Sequence, residues 1–207
     1  IGHHLGHGAA SFGPPDDHPL DVGEVRAALF ARLGPAYALA DSGRLAEAAH
    51  LYRLAGPPQD WDNPPYFTVQ ALAVGASVAV VLGLRSDVAW FRAALGEHRF
   101  GHVVGGGGAA NYLGPVELVL GRCAGALDDL DAAADLLASA LATCGRIGAP
   151  GFEVEAACEL AAVRLRRHEP DAARVLLARA RPSAERMRMT PWIRRIDVLL
   201  GGGAGPL

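Results

Sequence analysis

Gly43-Arg44-Leu45-Ala46-Glu47-Ala48-Ala49 has three counterparts further along the chain. They are Gly83-Leu84-Arg85-Ser86-Asp87-Val88-Ala89, Leu127-Asp128-Asp129-Leu130-Asp131-Ala132-Ala133 and His168-Glu169-Pro170-Asp171-Ala172-Ala173. Aligned on Ala49, Ala89, Ala132 and Ala172, the copies stand 40, 43 and 40 residues apart. A period of this size marks stacked supersecondary units, each too small to bury its own apolar face. Read outward from these turns, the chain is an array of α-helical hairpins, a device for binding rather than turnover.

Composition agrees. The 207 residues are 51% hydrophobic, enough for a sizeable core, while aromatics make up only 6%. No run of strand formers alternates clearly, so helix is expected throughout and the class is all-α. All 19 basic residues are arginine. The absence of lysine excludes a P-loop lysine, a Schiff-base lysine and a lysine general base, each of which needs an amine.

The net charge of −3 is unevenly spread: residues 161–207 carry +6 and residues 1–160 carry −9. Such a field steers an acidic partner toward one end or simply marks a solvated arginine face. Cys123, Cys144 and Cys158 show no metal-ligand spacing and read as reduced thiols of a cytoplasmic protein. No apolar stretch is long enough to span a bilayer. The chain begins at Ile1 with no signal peptide evident, and is expected to be a piece of something longer.

Along the chain, residues 1–20 read as a loose lead-in and 21–200 as the helical domain. The glycine-rich tail 201–207 is expected to be disordered. Asp21 with Glu24 resembles a capping box, and the first helix should bend at Gly34-Pro35. Arg44–Ala55 returns, and the prolines of 56–65 form a loop around Trp61. Tyr66–Leu82 is apolar nearly all round and should be buried. Ser86 is expected to cap the next helix, which runs to about Glu97.

Gly101–Gly108 reads as a long connection. Leu113–Leu127, Asp131–Ile147, Phe152–Arg167 and Asp171–Met189 follow as helices, the last interrupted at Pro182. Thr190-Pro191 then opens a short final helix to Leu200.

The stretch His102-Val-Val-Gly-Gly-Gly-Gly-Ala-Ala-Asn-Tyr-Leu-Gly-Pro-Val-Glu117, with Leu120-Gly121 and Leu127–Leu141, resembles the tetratricopeptide-like C-terminal regions of large actinobacterial regulators of the ATPase, cyclase or transcription-factor type. The resemblance covers roughly residues 60–200. It implies a right-handed α-hairpin superhelix of about four hairpins plus a terminal helix, acting as scaffold or sensor. This chain has no ATPase motif and no DNA-reading helix-turn-helix after the repeats, so those activities do not carry over.

Several constellations carry possible chemistry. Gly105–Gly108 could cradle a phosphate, but lacks Gly-Lys-Ser/Thr and a preceding strand. His98 and His102 have i, i+4 spacing for a metal, with no third ligand. Asp128, Asp129, Asp131 and Asp135 read as capping residues rather than a cation site. Arg167, Arg174, Arg181, Arg188 and Arg195 recur every seven residues, a phosphate-tracking stripe only if one helix carries them all.

In hairpin arrays the first helix of each pair lines the concave face. That places Gln70, His102, Asn111, Tyr112, Glu117, Arg122, Glu155, Arg164 and Arg194 as candidate ligand or partner contacts. The expected function is a noncatalytic scaffold or sensor making protein–protein or intramolecular contacts. Its partner is a protein or a sister domain, with self-association possible, without nucleic acid or membrane. No catalytic residue, metal or cofactor is expected. The alternative is a small-molecule receptor or enzyme with a pocket enclosed between helices near Trp90, Phe91, Phe100 and Tyr112.

Overall fold

The computed structural model describes residues 22–61, 63, 65–105 and 111–201. The expected lead-in, the Asp21–Glu24 capping pair, Gly106–Gly108 and the tail beyond Gly201 lie outside the described residues or side chains. Among the described residues there are nine α-helices: α1 (Val22–Asp41), α2 (Leu45–Leu54), α3 (Pro65–Val81), α4 (Arg85–Gly96), α5 (Val116–Ala126), α6 (Leu130–Ile147), α7 (Pro150–Arg166), α8 (Pro170–Arg186) and α9 (Thr190–Leu200). The all-α expectation is met apart from one antiparallel β-hairpin, β1 (His102–Gly105) with β2 (Asn111–Pro115), between α4 and α5.

Every turn from α1 to α2, α3 to α4, α5 to α6 and α7 to α8 closes in the same way. A residue at positive φ (Gly43, Gly83, Asp128, His168) donates its N–H to the carbonyl three residues back. The next N–H reaches five back: Arg44 to Leu39, Leu84 to Ala79, Asp129 to Ala124 and Glu169 to Arg164, at 2.9–3.0 Å. This is the paired closure that satisfies the last carbonyls of a helix. Gly148 and Arg188 make the same turn before α7 and α9.

The recurring geometry corrects the alignment. Five residues past each of the four positive-φ positions sit Ala48, Val88, Ala133 and Ala173, each at most 1% exposed. Ala49, Ala89, Ala132 and Ala172 are not buried. The structural spacing of the turns is therefore 40, 45 and 40 residues. The extra residues of the middle interval belong to the segment that contains the β-hairpin.

The odd-numbered helices form a row in which α1 touches α3, α3 touches α5, α5 touches α7 and α7 touches α9. Each even helix up to α8 leans on the helix before it. The row helices need apolar or small residues on several faces: α7 buries ten consecutive residues, Val154–Val163. Helices on the outside bury one stripe, as α8 does with Ala173, Leu177, Ala180 and Ala184. Helix α7 also divides the interior. Its Ala156, Leu160 and Val163 join the core of α1–α6, whereas Val154, Ala157, Cys158, Ala161 and Ala162 join a second cluster with α8 and α9.

Four local expectations need correction. Helix α1 runs unbroken through Pro35, because Leu33 and Ala36 on either side are wholly buried and hold the backbone in register. Helix α8 likewise passes through Pro182, which lies exposed where water can satisfy the freed carbonyl. Ser86 and Thr190 are not caps: the caps are Leu84 and Met189, neither with a side-chain hydrogen bond, and Ser86 and Thr190 already lie inside their helices. Helix α5 starts at Val116 rather than Leu113, since Asn111–Pro115 pair with β1.

Candidate functional site

A row helix that buries two glutamates needs cations nearby, because a buried charge is costly unless paired. Glu155 and Glu159, one turn apart on α7, are 2% and 7% exposed. Arg122 of α5 meets both, at 2.6 Å from Glu155 and 3.2 Å from Glu159. Arg195 of α9 approaches the other oxygen of Glu159 at 3.5 Å. Three row helices are thus joined by one ionic cluster.

The first row helix shares its field. The Tyr37 phenol of α1 is pushed well above its ordinary range, first by burial and then by the charge of Glu155; Arg122 opposes the shift, while Asp41 and Glu159 add to it. Burial works against the charge of Arg122, but Glu155 and Glu159 outweigh it and fix the guanidinium in its charged form. Side chains from α1, α5, α7 and α9 therefore act on one another across the row.

A second cluster lies at the β-hairpin. Strand β1 packs on α3, and β2 on α5 and α6. His102 Nδ1 lies 3.1 Å from the Tyr112 hydroxyl, and the Tyr112 ring meets Phe152 of α7 edge-on at 5.2 Å. Glu117, in the first turn of α5, is 2% exposed and accepts a hydrogen bond from Ser139 Oγ of α6 at 3.1 Å. Burial, then Cys144 and Glu117, push Tyr112 up to about 12.

Of the residues singled out from sequence, Arg122 and Glu155 are brought together in the ionic cluster, and His102, Tyr112 and Glu117 around the hairpin. Gln70 also lies at the hairpin, but at the Gly105 end of β1 rather than in the His102–Tyr112 contact: an added Cβ on Gly105 would stand 2.4 Å from its Nε2, and its buried Oε1 has no hydrogen-bond partner among the described residues. Asn111 is exposed on β2. Arg164 is tied to Glu169 at 2.5 Å at the end of α7, and Arg194 is exposed on α9. Glu159, Arg195 and Tyr37 were missed. The signal was available in two carboxylates at i, i+4 within the otherwise apolar run Val154–Val163.

Other constellations come apart. His98 follows the end of α4 while His102 begins β1, so they share no helix face, and no metal-ligating group occurs among the described residues. A strand does precede the glycine run, contrary to expectation, because Val103 buries against α3 and β2 supplies its pairing partner. The seven-residue arginine series is dismantled. Arg167 pairs with Asp131 and Glu169, Arg174 with Asp171, Arg181 with Asp197 and Glu185, and Arg195 with Glu159.

The aromatic pocket residues also separate: Phe91 is fully buried beside Trp61 and Trp90, Phe100 is 73% exposed, and Tyr112 lies at the hairpin.

The aspartates at the turn do more than cap. Asp129 accepts from the Ala132 N–H, as a cap should, and also binds Arg92 of α4 at 2.6 Å. Asp128 holds Arg85 of α4 at 3.0 Å and Arg166 of α7 at 2.6 Å, and the two arginines also donate to the carbonyls of Ala126 and Gly125 at the end of α5. Among the described residues, no helix is long and apolar enough to cross a membrane. No protein-family model, curated protein or solved structure matches the chain.

Proposed function

We propose that the chain is a noncatalytic, tetratricopeptide-like recognition module whose partner, a protein segment or sister domain, lies along the inner side of the odd-helix row. The observation that carries this reading is the ionic cluster of Arg122, Glu155, Glu159 and Arg195, with Tyr37 in its field. Being buried, the cluster acts by locking the row helices in register, so that the exposed side chains they carry are ordered before a partner arrives and less entropy is lost on binding. The repeated turns supply rigidity within each hairpin, because α1–α2, α3–α4, α5–α6 and α7–α8 are all joined by the same closure.

The test is a peptide-library selection on the folded chain, followed by affinity measurements on variants. Glu159→Gln and Arg195→Gln alter the inner cluster, whereas Arg179→Gln alters an exposed position on α8. Selected peptides should lose at least about tenfold in affinity on the first two, as expected when the pairing that holds the row helices in register is loosened, and be indifferent to the third. Peptides that bind both inner variants normally and lose binding on the α8 variant would place the recognition face outside and overturn the reading.

A further inference from the structure

Glu117 differs from the other buried glutamates. Glu155 and Glu159 each meet an arginine, whereas Glu117, equally buried, forms no ion pair among the described residues and has Ser139 Oγ as its hydrogen-bond donor at 3.1 Å. Burying a carboxylate without a counter-charge is costly, and a cation supplied from outside would relieve that cost. The chain holds no lysine, so it has no side-chain ammonium of its own to offer.

The surroundings suit such a cation. Tyr112 and Phe152 stand nearly perpendicular, 83° apart with centroids at 5.2 Å, and His102 adds a third ring 5.7 Å from Tyr112. Gly114 brings β2 close to Phe152: it sits at φ +104, and a Cβ there would stand 3.1 Å from the ring. Tyr112 and Phe152 are only half-buried, so part of each ring reaches solvent, and Glu117 follows in the first turn of the helix after β2. The local field is negative. Cys144 nearby is pushed up to about 12 by burial and then by Glu155, Glu153 and Glu117, with no arginine opposing them.

We propose that Glu117, Tyr112, Phe152 and His102 form a binding site for an organic ammonium ion, with the carboxylate as counter-charge and the rings as cation–π walls. Ser139 orients the carboxylate, and the α5–α6 and α6–α7 contacts fix the distance between it and the rings. The same chemistry is offered by a free alkylammonium and by a lysine side chain of another protein. The residues of this site are distinct from those of the ionic cluster, and the proposal does not depend on the function assigned to that cluster.

The test titrates the full chain with choline, with its uncharged isostere 3,3-dimethyl-1-butanol, and with the capped peptide acetyl-Ala-Lys-Ala-amide. Calorimetry and the aromatic NMR signals of Tyr112 and Phe152 are the readouts. Choline or the lysine peptide should shift those signals saturably while the neutral isostere does not, and whichever binds more tightly identifies the source. Glu117→Gln keeps the shape and the Ser139 contact and should weaken binding at least about tenfold, the scale of a lost desolvated cation contact.

Phe152→Leu keeps apolar volume without the ring and should weaken choline several-fold. It decides the matter if the Glu117 variant fails to fold by circular dichroism. Equal binding of choline and its isostere, no saturable shift with either cation, or undiminished choline binding in a folded variant would overturn the proposal.

Discussion

The junction between the first two hairpins is built from rings, and that between the third and fourth from charges. At the first, Trp61 from the α2–α3 loop meets Phe91 at 5.5 Å with the rings tilted by 49° and Tyr52 edge-on at 6.4 Å, above a bare backbone at Gly75. The Tyr52 hydroxyl then donates to Asp87 at 2.8 Å. At the other junction the row helices touch through Arg122, Glu155 and Glu159, and the outer edge is closed by Arg166 on Asp128 and on the Gly125 carbonyl. One turn geometry thus serves two ways of stacking hairpins. Rings fill volume without specifying partners atom by atom; guanidinium–carboxylate contacts fix the register but fail badly when one member is missing.

The comparison breaks most visibly at Phe91. Phe91→Ala should cost about 3–5 kcal/mol, the range for removing a buried aromatic, and no second single substitution should restore it. Chemical denaturation measures this directly. Arg122→Met should cost about 3 kcal/mol or somewhat more, because two buried carboxylates lose the guanidinium they share, leaving Glu159 with Arg195 alone. Here a second change does help: adding Glu155→Gln and Glu159→Gln should return most of the loss, and an uncorrected triple variant would mean that Arg122 acts by packing alone.

Gly75→Ala comes next, at about 1–3 kcal/mol, since its Cβ would stand 2.6 Å from Trp61 and 2.7 Å from Phe91. A thermal midpoint equal to the parent's would show that the ring stack has slack.

The smallest effect is electrostatic. Asp129 lies below its ordinary carboxylate range, mainly through Arg92 and then through the Ala132 N–H. A depressed carboxyl contributes stability that is present above its unfolded pKa, near 4, and lost as pH falls through the lower folded value. Denaturation at about pH 5 and pH 2.5 brackets this interval. The parent should lose more stability between them than Asp129→Asn does, and an equal loss would remove the Arg92 contact from the account.

Much of this architecture was legible from residues. The turns were placed because Gly43 and Gly83 can adopt positive φ. The alignment slipped in the later copies, where Asp128 and His168, not glycines, occupy the same conformation and gave no visible marker. The β-hairpin escaped notice because one strand has four residues and the other ends in Gly114-Pro115, too short for alternation to show.

Arg122 and Glu155 read from sequence as separate ligand or partner contacts, and their pairing depends on which helices of the row touch. Glu159 was readable on the same principle, as a charge inside a buried apolar run. Arg195 was not, since its contact with Glu159 requires α9 to fold back on α7.

Helix α7 serves as the seam between the two apolar clusters, contributing alternate faces to each. Under mechanical load applied at the C-terminal end, α9 and then α8 would peel from this seam before the larger interior yields. Extension would occur in two rips rather than one, with the glutamate-bearing helix as the line where the tear pauses.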